Sequence, residues 1–361
     1  MKFVSPFLKR IVYPSLSMAG VFRRGSPSGL AIVTYHGVLP HGYEPVDSAF
    51  DGNLISAETF RRQLRLLKSH FNVISPEDVP AWIEGRSELP RRAVLITCDD
   101  GLLNHLTDML PVLQQEGLRC LFFVTGISAN KPDPPERSTL WYEELFLLLL
   151  RAQEGKFQIS CGGVAVEGEL GSREKTRATW WKCVQELSQF PPESRAACMQ
   201  ALRKQFGLDA QPTFDSHNTA LSRRFGLMNA VEVRELATAG MTIGAHTVSH
   251  PMLSKAPAAV ARGEITHCKL QIEGVLQQKV WAFAYPFGDA GSVTPEVLAM
   301  PKDAGYTAAF LNYGGGLGTS LPPHALPRIH ITAEMSLAEL DAHVSGFYAR
   351  LQRLGGRVTS A

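Results

Sequence analysis

Hydrophobic positions along this chain switch repeatedly between two periods. Short, nearly continuous apolar runs occupy residues 30–35, 94–97, 120–125, 241–245, 280–285 and 306–311, and a mixed run occupies 326–330. They are rich in branched and aromatic residues, which suits strands buried on both faces. Between them the spacing becomes helical. Phe60, Leu64 and Leu67 follow a Ser56 cap, and Leu106, Leu110, Val112 and Leu113 lead to a stop at Gly117. A short strand at 73–74 and a short helix at 77–84 precede the second long run. Later helices run through Leu236 to Gly240, over 258–276, and from Pro295 to Gly305. Strand, helix, strand in this order predicts βαβ units and parallel pairing. The chain closes on a Ser336-x-x-Glu339 capping box and an apolar stripe of Leu337, Leu340, Val344, Phe347 and Leu351.

Residues 127–225 break the alternation. A proline-rich turn (Pro132, Pro134, Pro135) leads to an aromatic helix over 141–151. A hairpin at 157–166 turns about Gly162-Gly163, and helices surround Trp180-Trp181 and 195–206. This stretch reads as an insertion whose Trp and Leu face serves packing, with a lid over a site as the alternative. The resulting division is an N-terminal extension (1–29), an α/β body (30–126 and 226–333), the insertion (127–225), and a C-terminal helix and tail (334–361).

Composition narrows the class. With 361 residues, 45% of them hydrophobic, the chain can bury a large core. Charged residues make up 19%, the net charge is +2 and no basic block stands out, which argues against nucleic acid as a partner. The six cysteines contain no Cys-x-x-Cys pair, so neither a zinc knuckle nor a disulfide framework is indicated, and free thiols in a reducing compartment are expected. Near the N-terminus, Lys9 and Arg10 precede Ile11-Val12-Tyr13, but Pro14, Ser15 and Ser17 interrupt the apolar run. A secretory signal needs a cleaner apolar core, so a cytoplasmic location is expected, with membrane-surface contact through this basic-apolar segment. The Leu-rich stretch 145–150 is too short to span a bilayer.

Chemistry concentrates where strands end. The run ending Val94-Leu95-Ile96-Thr97-Cys98 meets Asp99-Asp100-Gly101. Asp-Asp-Gly is a turn signal, and a strand's C-terminal end is where α/β sheets place reactive groups. Adjacent carboxylates leave a turn in different directions, so one can hold a metal while the other acts on water. His246 and His250, four apart, follow another strand, and His36-Gly37 ends the first. Two imidazoles and a carboxylate with coordination positions left open describe a catalytic metal site. Gly314-Gly315-Gly316 reads as a loop without the Lys-Ser/Thr of a phosphate loop.

Three of these stretches resemble one family. Thr97-Cys98-Asp99-Asp100-Gly101, His246-Thr247-Val248-Ser249-His250 and Phe283-Ala284-Tyr285-Pro286-Phe287-Gly288 resemble, in order, the motifs of polysaccharide deacetylases with the NodB homology domain (carbohydrate esterase family four). The resemblance covers residues 30–126 and 228–330. It implies a distorted (β/α) barrel of fewer than eight repeats and metal-dependent hydrolysis of N-acetyl groups on amino sugars of a polysaccharide or its precursor. One divalent metal is implied, Zn²⁺ or else Co²⁺, Ni²⁺ or Fe²⁺, held by Asp100, His246 and His250. Asp99 takes the place of the general base, and the Phe287 N–H that of an oxyanion donor. Three departures stand out. Cys98 replaces a phenylalanine and is expected to pack inward, with a nucleophilic thiol as a further reading. Ala284 stands where many members carry an arginine that holds the base, and Arg328 is the expected substitute. Tyr35-His36-Gly37-Val38 resembles a subgroup in which this histidine is the general acid, with His330 as the runner-up. His105, His267, His324 and His343 are expected on helix or loop surfaces. The glycan, the acyl group and the oligomeric state stay open. The reading from another class is a carbohydrate-binding or scaffold protein with an inactive site.

Overall fold

A computed structural model describes residues 8–24, 29–47, 50–127, 137–161, 163–207, 219–315 and 321–351. Seven parallel strands form its centre: β1 (Leu30–Tyr35), β2 (Ala93–Cys98), β3 (Leu121–Val124), β4 (Thr242–Ala245), β5 (Ala282–Ala284), β6 (Ala308–Gly314) and β7 (Leu326–His330). Each pairs with its neighbours in sequence, and β7 returns to β1 through Val33↔Ile329 and Thr34↔His330, which closes the ring. The result is a closed (β/α) barrel. Asn72–Val73 pairs with Ala93 and Val94, alongside the half of β2 that the shorter β3 does not reach.

The two-residue period of the strands sorts their side chains into two cores. Ala31, Val33 and Tyr35 join Val94, Ile96 and Cys98 facing the outer helices. Leu30 and Ile32 join Ala93, Leu95, Phe123, Ala284, Phe310 and Leu326 in the barrel interior. Alanines leave little room to fill, and Gly244 is required because a Cβ there would come within 2.6 Å of the Phe123 ring. Continued upward, the same parity carries Thr34 and His36, Thr97 and Asp99, and Arg328 and His330 toward the barrel mouth.

Helices cover the outside. The helix Ala57–His70 is capped by Ser56 and buries Phe60, Leu64 and Leu67 against the barrel. The helix Ala258–Leu276 buries Ala261, Ile265, Cys268 and Ile272. No described helix is long and apolar enough to cross a membrane. The insertion has a core of its own. The helices Trp141–Arg151, Arg173–Leu187 and Pro192–Gln205 pack against an antiparallel hairpin, Gly155–Cys161 with Val164–Leu170. Buried Arg224 ties insertion to barrel, bonding Asp51 and Glu143 at 2.8 Å each.

Several expectations need correction. The Ser336 hydroxyl accepts from the Glu339 N–H, but the Glu339 carboxylate pairs with Lys9 at 2.9 Å, so the reciprocal half of the capping box is missing. A complete box forms instead between Asn229 and Glu232. The closing helix stops at Val344, the chain turns at Gly346 with φ 75°, and Leu351 is exposed. Strand β6 runs through Gly314 rather than ending before a glycine loop, and Gly316 lies outside the described residues.

Candidate active site

Strand β2 delivers Asp99 into the barrel mouth, and Asp100 then turns away at φ 90°, ahead of Gly101 at φ 80°. A positive φ is costly for any residue but glycine, and such strain persists only where the surroundings enforce it. Among the described residues six non-glycines adopt it, and four of them (Asp100, Thr247, His250 and Phe287) lie here.

The turn sets Asp100 against two imidazoles. Its Oδ1 lies 3.5 Å from His246 Nε2 and 3.3 Å from His250 Nε2. All three residues are buried, and their ligand atoms lie within 4.8 Å of one another. His246 enters from the end of β4, and its Nδ1 lies 2.8 Å from the Ala284 carbonyl. A carbonyl can only accept, so Nδ1 carries the proton and a neutral ring turns the bare Nε2 lone pair toward Asp100. Two acceptors then face each other in a buried space, an arrangement that a bound cation reconciles. The donor set of two nitrogens and one oxygen suits a borderline divalent metal. Burial works to raise the Asp100 carboxyl, but the neighbouring His246 and His250 imidazoles outweigh it and hold the group well below its usual range. Burial likewise lowers His250, favouring the neutral ring that coordination requires.

Asp99 belongs to a different network. Arg328, buried on β7, grips both of its oxygens, with Nη1 to Oδ1 at 2.6 Å, while Nη1 also reaches Thr97 Oγ1 and Nε donates to the Leu311 carbonyl. Burial pushes the Asp99 carboxyl up, and the guanidinium more than reverses this, so Asp99 stays ionised. Two adjacent carboxylates thus have separate partners: one faces the imidazoles, the other is clamped by an arginine. Ala284 also points into the barrel, and the guanidinium that holds Asp99 comes from β7.

Residues 214–309 match the family model described as polysaccharide deacetylase. That stretch is similar to a polysaccharide deacetylase domain. The matched segment contains His246, His250 and the Phe283–Gly288 stretch, and closure of the barrel brings Asp99 and Asp100 to them from outside it. Similar solved structures include the Streptococcus pyogenes deacetylase PplD in complex with acetate, with TM-score 0.55 and 17% identity over 88% of this chain and 99% of that one. IcaB from Ammonifex degensii aligns with TM-score 0.54 and 17% identity, over 89% and 98%. BC0361, a polysaccharide deacetylase from Bacillus cereus, aligns with TM-score 0.52 and 14% identity, over 88% and 69%. At these identities the likeness is one of fold. No curated protein sequence matches the chain.

The other expected site residues also reach the mouth. The rings of His36 and His330 stack at 4.7 Å between centroids. His330 shares the inward parity of Leu326 and Arg328. Its nitrogens face the Asn312 and Asn53 side-chain oxygens at 3.1 and 3.2 Å, and burial pushes its pKa down to about 3. His36 is half-buried, and its Nδ1 has no partner among the described residues. The Phe287 N–H donates to no other group among them either. Cys98 points away into the outer core, and burial keeps its thiol well above its usual value, so the nucleophile reading has no thiolate to act through. All five described cysteines are free and buried; the Cys161 side chain lies outside the described residues.

His105 is a correction: it is fully buried, not superficial. Its Nε2 lies 3.3 Å from both Cys98 Sγ and the His36 carbonyl, beneath the first histidine. His324 and His343 are also half-buried, the first at 2.9 Å from the Tyr306 carbonyl and the second tilted against the Tyr348 ring at 4.2 Å between centroids. His267 is exposed.

Supports supplied by the insertion had no signal in the sequence. Trp141 Nε1 donates to the His250 carbonyl at 3.0 Å, and the His250 N–H donates to Thr247 Oγ1 at 3.0 Å. Arg195, buried on the insertion, bonds the Ser249 hydroxyl and lies 4.9 Å over the Trp141 ring, while the Ser249 N–H donates to Glu264 at 2.8 Å. These contacts hold a strained loop in place from both sides. Trp141→Phe removes the N–H and keeps an apolar ring. Leaving a buried carbonyl without that donor costs about 1–3 kcal/mol. Urea denaturation should show this loss, and an unchanged midpoint would mean that water or a rearranged loop replaces the bond.

Proposed function

We propose that this protein hydrolyses N-acetyl groups on amino sugars of a polysaccharide or its glycan precursor, using one divalent metal. The observation that carries this reading is the convergence of two differently partnered aspartates at one mouth, Asp99 clamped by Arg328 and Asp100 facing His246 and His250. Fold and family match support polysaccharide deacetylation in general terms.

Asp100, His246 and His250 would hold the metal. When bound, it supplies Lewis-acid polarisation of the acetamide carbonyl and of the attacking water. Asp99 is ionised and fixed by Arg328, so it accepts the water's proton as the water oxygen bonds to the carbonyl carbon. The Phe287 N–H, which donates to no other described group, donates to the oxygen that gains charge. As the C–N bond breaks, His36 gives a proton to the leaving amine. His36 is preferred over His330 because its Nδ1 is unpartnered, whereas His330, half-buried like His36, is neutral with both nitrogens facing asparagine oxygens. The His330 ring instead fixes the plane of His36 by stacking.

The experiment is elemental analysis paired with acetate release. Purified protein should hold about one divalent metal per chain. Chelation should abolish acetate release from N-acetylglucosamine oligomers, and Zn²⁺ or Co²⁺ should restore it. His246→Ala should lose both metal and activity. Metal without acetate release from any N-acetylated amino sugar would overturn the reading in favour of a carbohydrate-binding protein.

A further inference from the structure

The insertion contributes more than loop support. On its barrel side, Tyr142 and Trp181 meet Phe287, with ring centroids 5.6 and 5.7 Å away. The same row begins at the candidate metal site, because Tyr142 lies 4.9 Å and Phe287 5.0 Å from the His250 ring. All three aromatic rings are half-buried, whereas Leu145, Leu148 and Leu149 behind them are buried. Adjacent Trp180 is fully engaged: its Nε1 donates to the Tyr142 carbonyl at 2.7 Å, and its ring packs edge-on against Phe50 and Phe146. Trp181 Nε1 and the Tyr142 hydroxyl, by contrast, make no hydrogen bond to described residues.

A row of flat rings carrying two unsatisfied donors suits a ligand with both C–H faces and hydroxyl edges. A purely apolar occupant would bury both donors unpaired, which is unfavourable. A pyranose meets both demands: its C–H face packs on an aromatic ring, and its hydroxyls accept from the ring-edge donors.

We propose that Tyr142, Trp181 and Phe287 form a sugar-binding platform beside the candidate metal site, so that the insertion selects a glycan rather than a free acetamide. The proposal rests on the deacetylase reading above. It explains why the aromatic face of residues 127–225 is turned toward the barrel mouth.

The test uses Trp181→Leu, which keeps apolar volume for the insertion core but removes the flat ring and its N–H, and Tyr142→Phe, which removes only the hydroxyl. Binding is read by tryptophan fluorescence with β-1,4- and β-1,6-linked N-acetylglucosamine trimers, in an Asp99→Asn background so that substrate is not consumed. Trp181→Leu should weaken trimer binding at least tenfold. In otherwise wild-type protein, both variants should raise KM for trimers while kcat stays within about threefold. Folded variants, by circular dichroism, that bind both trimers within twofold of their parent would overturn the platform, as would no saturable binding by the parent. The two readings can fail separately. Acetate release with unchanged KM in both variants sinks the platform alone. Trimer binding that depends on Trp181, with no acetate release, sinks the deacetylase reading and leaves the platform standing.

Discussion

Asp99→Asn lowers acetate release roughly 10²–10⁴-fold, the range for loss of a positioned general base, with little change in KM. The substitution is close to isosteric, so an amide can keep one contact with Arg328 Nη1, which now lies 2.6 Å from Oδ1. Asp100, His246 and His250 are untouched, and metal content should stay at the wild-type level. That separation is the strongest discriminator available. Lost metal in Asp99→Asn would mean that the two aspartates share one task. Unchanged acetate release would remove Asp99 from the mechanism. The corresponding change at the neighbour, Asp100→Asn, should instead lower metal content, because an amide carries no charge to attract the cation.

Arg328→Met is the second large effect, and it acts on stability as well as rate. Arg328 and Asp99 are both about 1% exposed. Removing the guanidinium leaves a carboxylate buried without its countercharge, which costs about 3–5 kcal/mol. Part of that loss should return in the double variant Arg328→Met/Asp99→Asn, which leaves no charge to strand. Arg328→Lys should fall between, since a single ammonium cannot reproduce the forked contact. The pH dependence follows from the direction of the Asp99 shift. Its folded pKa is depressed, so the pair's stabilisation is fully present above the unfolded value of about 3.9 and is lost as pH falls through the folded pKa. In Arg328→Met, burial is opposed only by the weaker pull of His246 and His36, and the Asp99 carboxyl rises. The acidic limb of the rate profile should move to higher pH. A profile that keeps its acidic limb would assign that limb to another group.

Much of this molecule could be read from residue order. Runs of branched apolar residues are buried on both faces, and their spacing against helical stripes specifies parallel βα units without knowledge of any partner. The positions that meet at the barrel mouth were legible for the same reason. Asp99, Asp100, His36, His246 and Phe287 each follow such a run closely, and strands of a parallel barrel end on a common side. The orientation of Arg328 and His330 needed the register of β7, which the structure supplies by placing both on the face of Leu326.

What order alone left undecided depends on distance in three dimensions. His105 looks like a surface histidine because its sequence neighbours are mixed, yet packing beneath His36 buries it completely. Glu339 has the spacing of a cap but a better partner in Lys9, more than three hundred residues away. Trp141, Tyr142 and Trp181 show helical periodicity that says only that one side is covered. That this side meets His250 and Phe287 follows from how the insertion docks on the barrel. Periodicity records whether a side chain is buried, because burial is a local alternation against water. Which groups it meets there is settled by closure of the barrel and docking of the insertion, and those contacts link positions with no regular spacing between them.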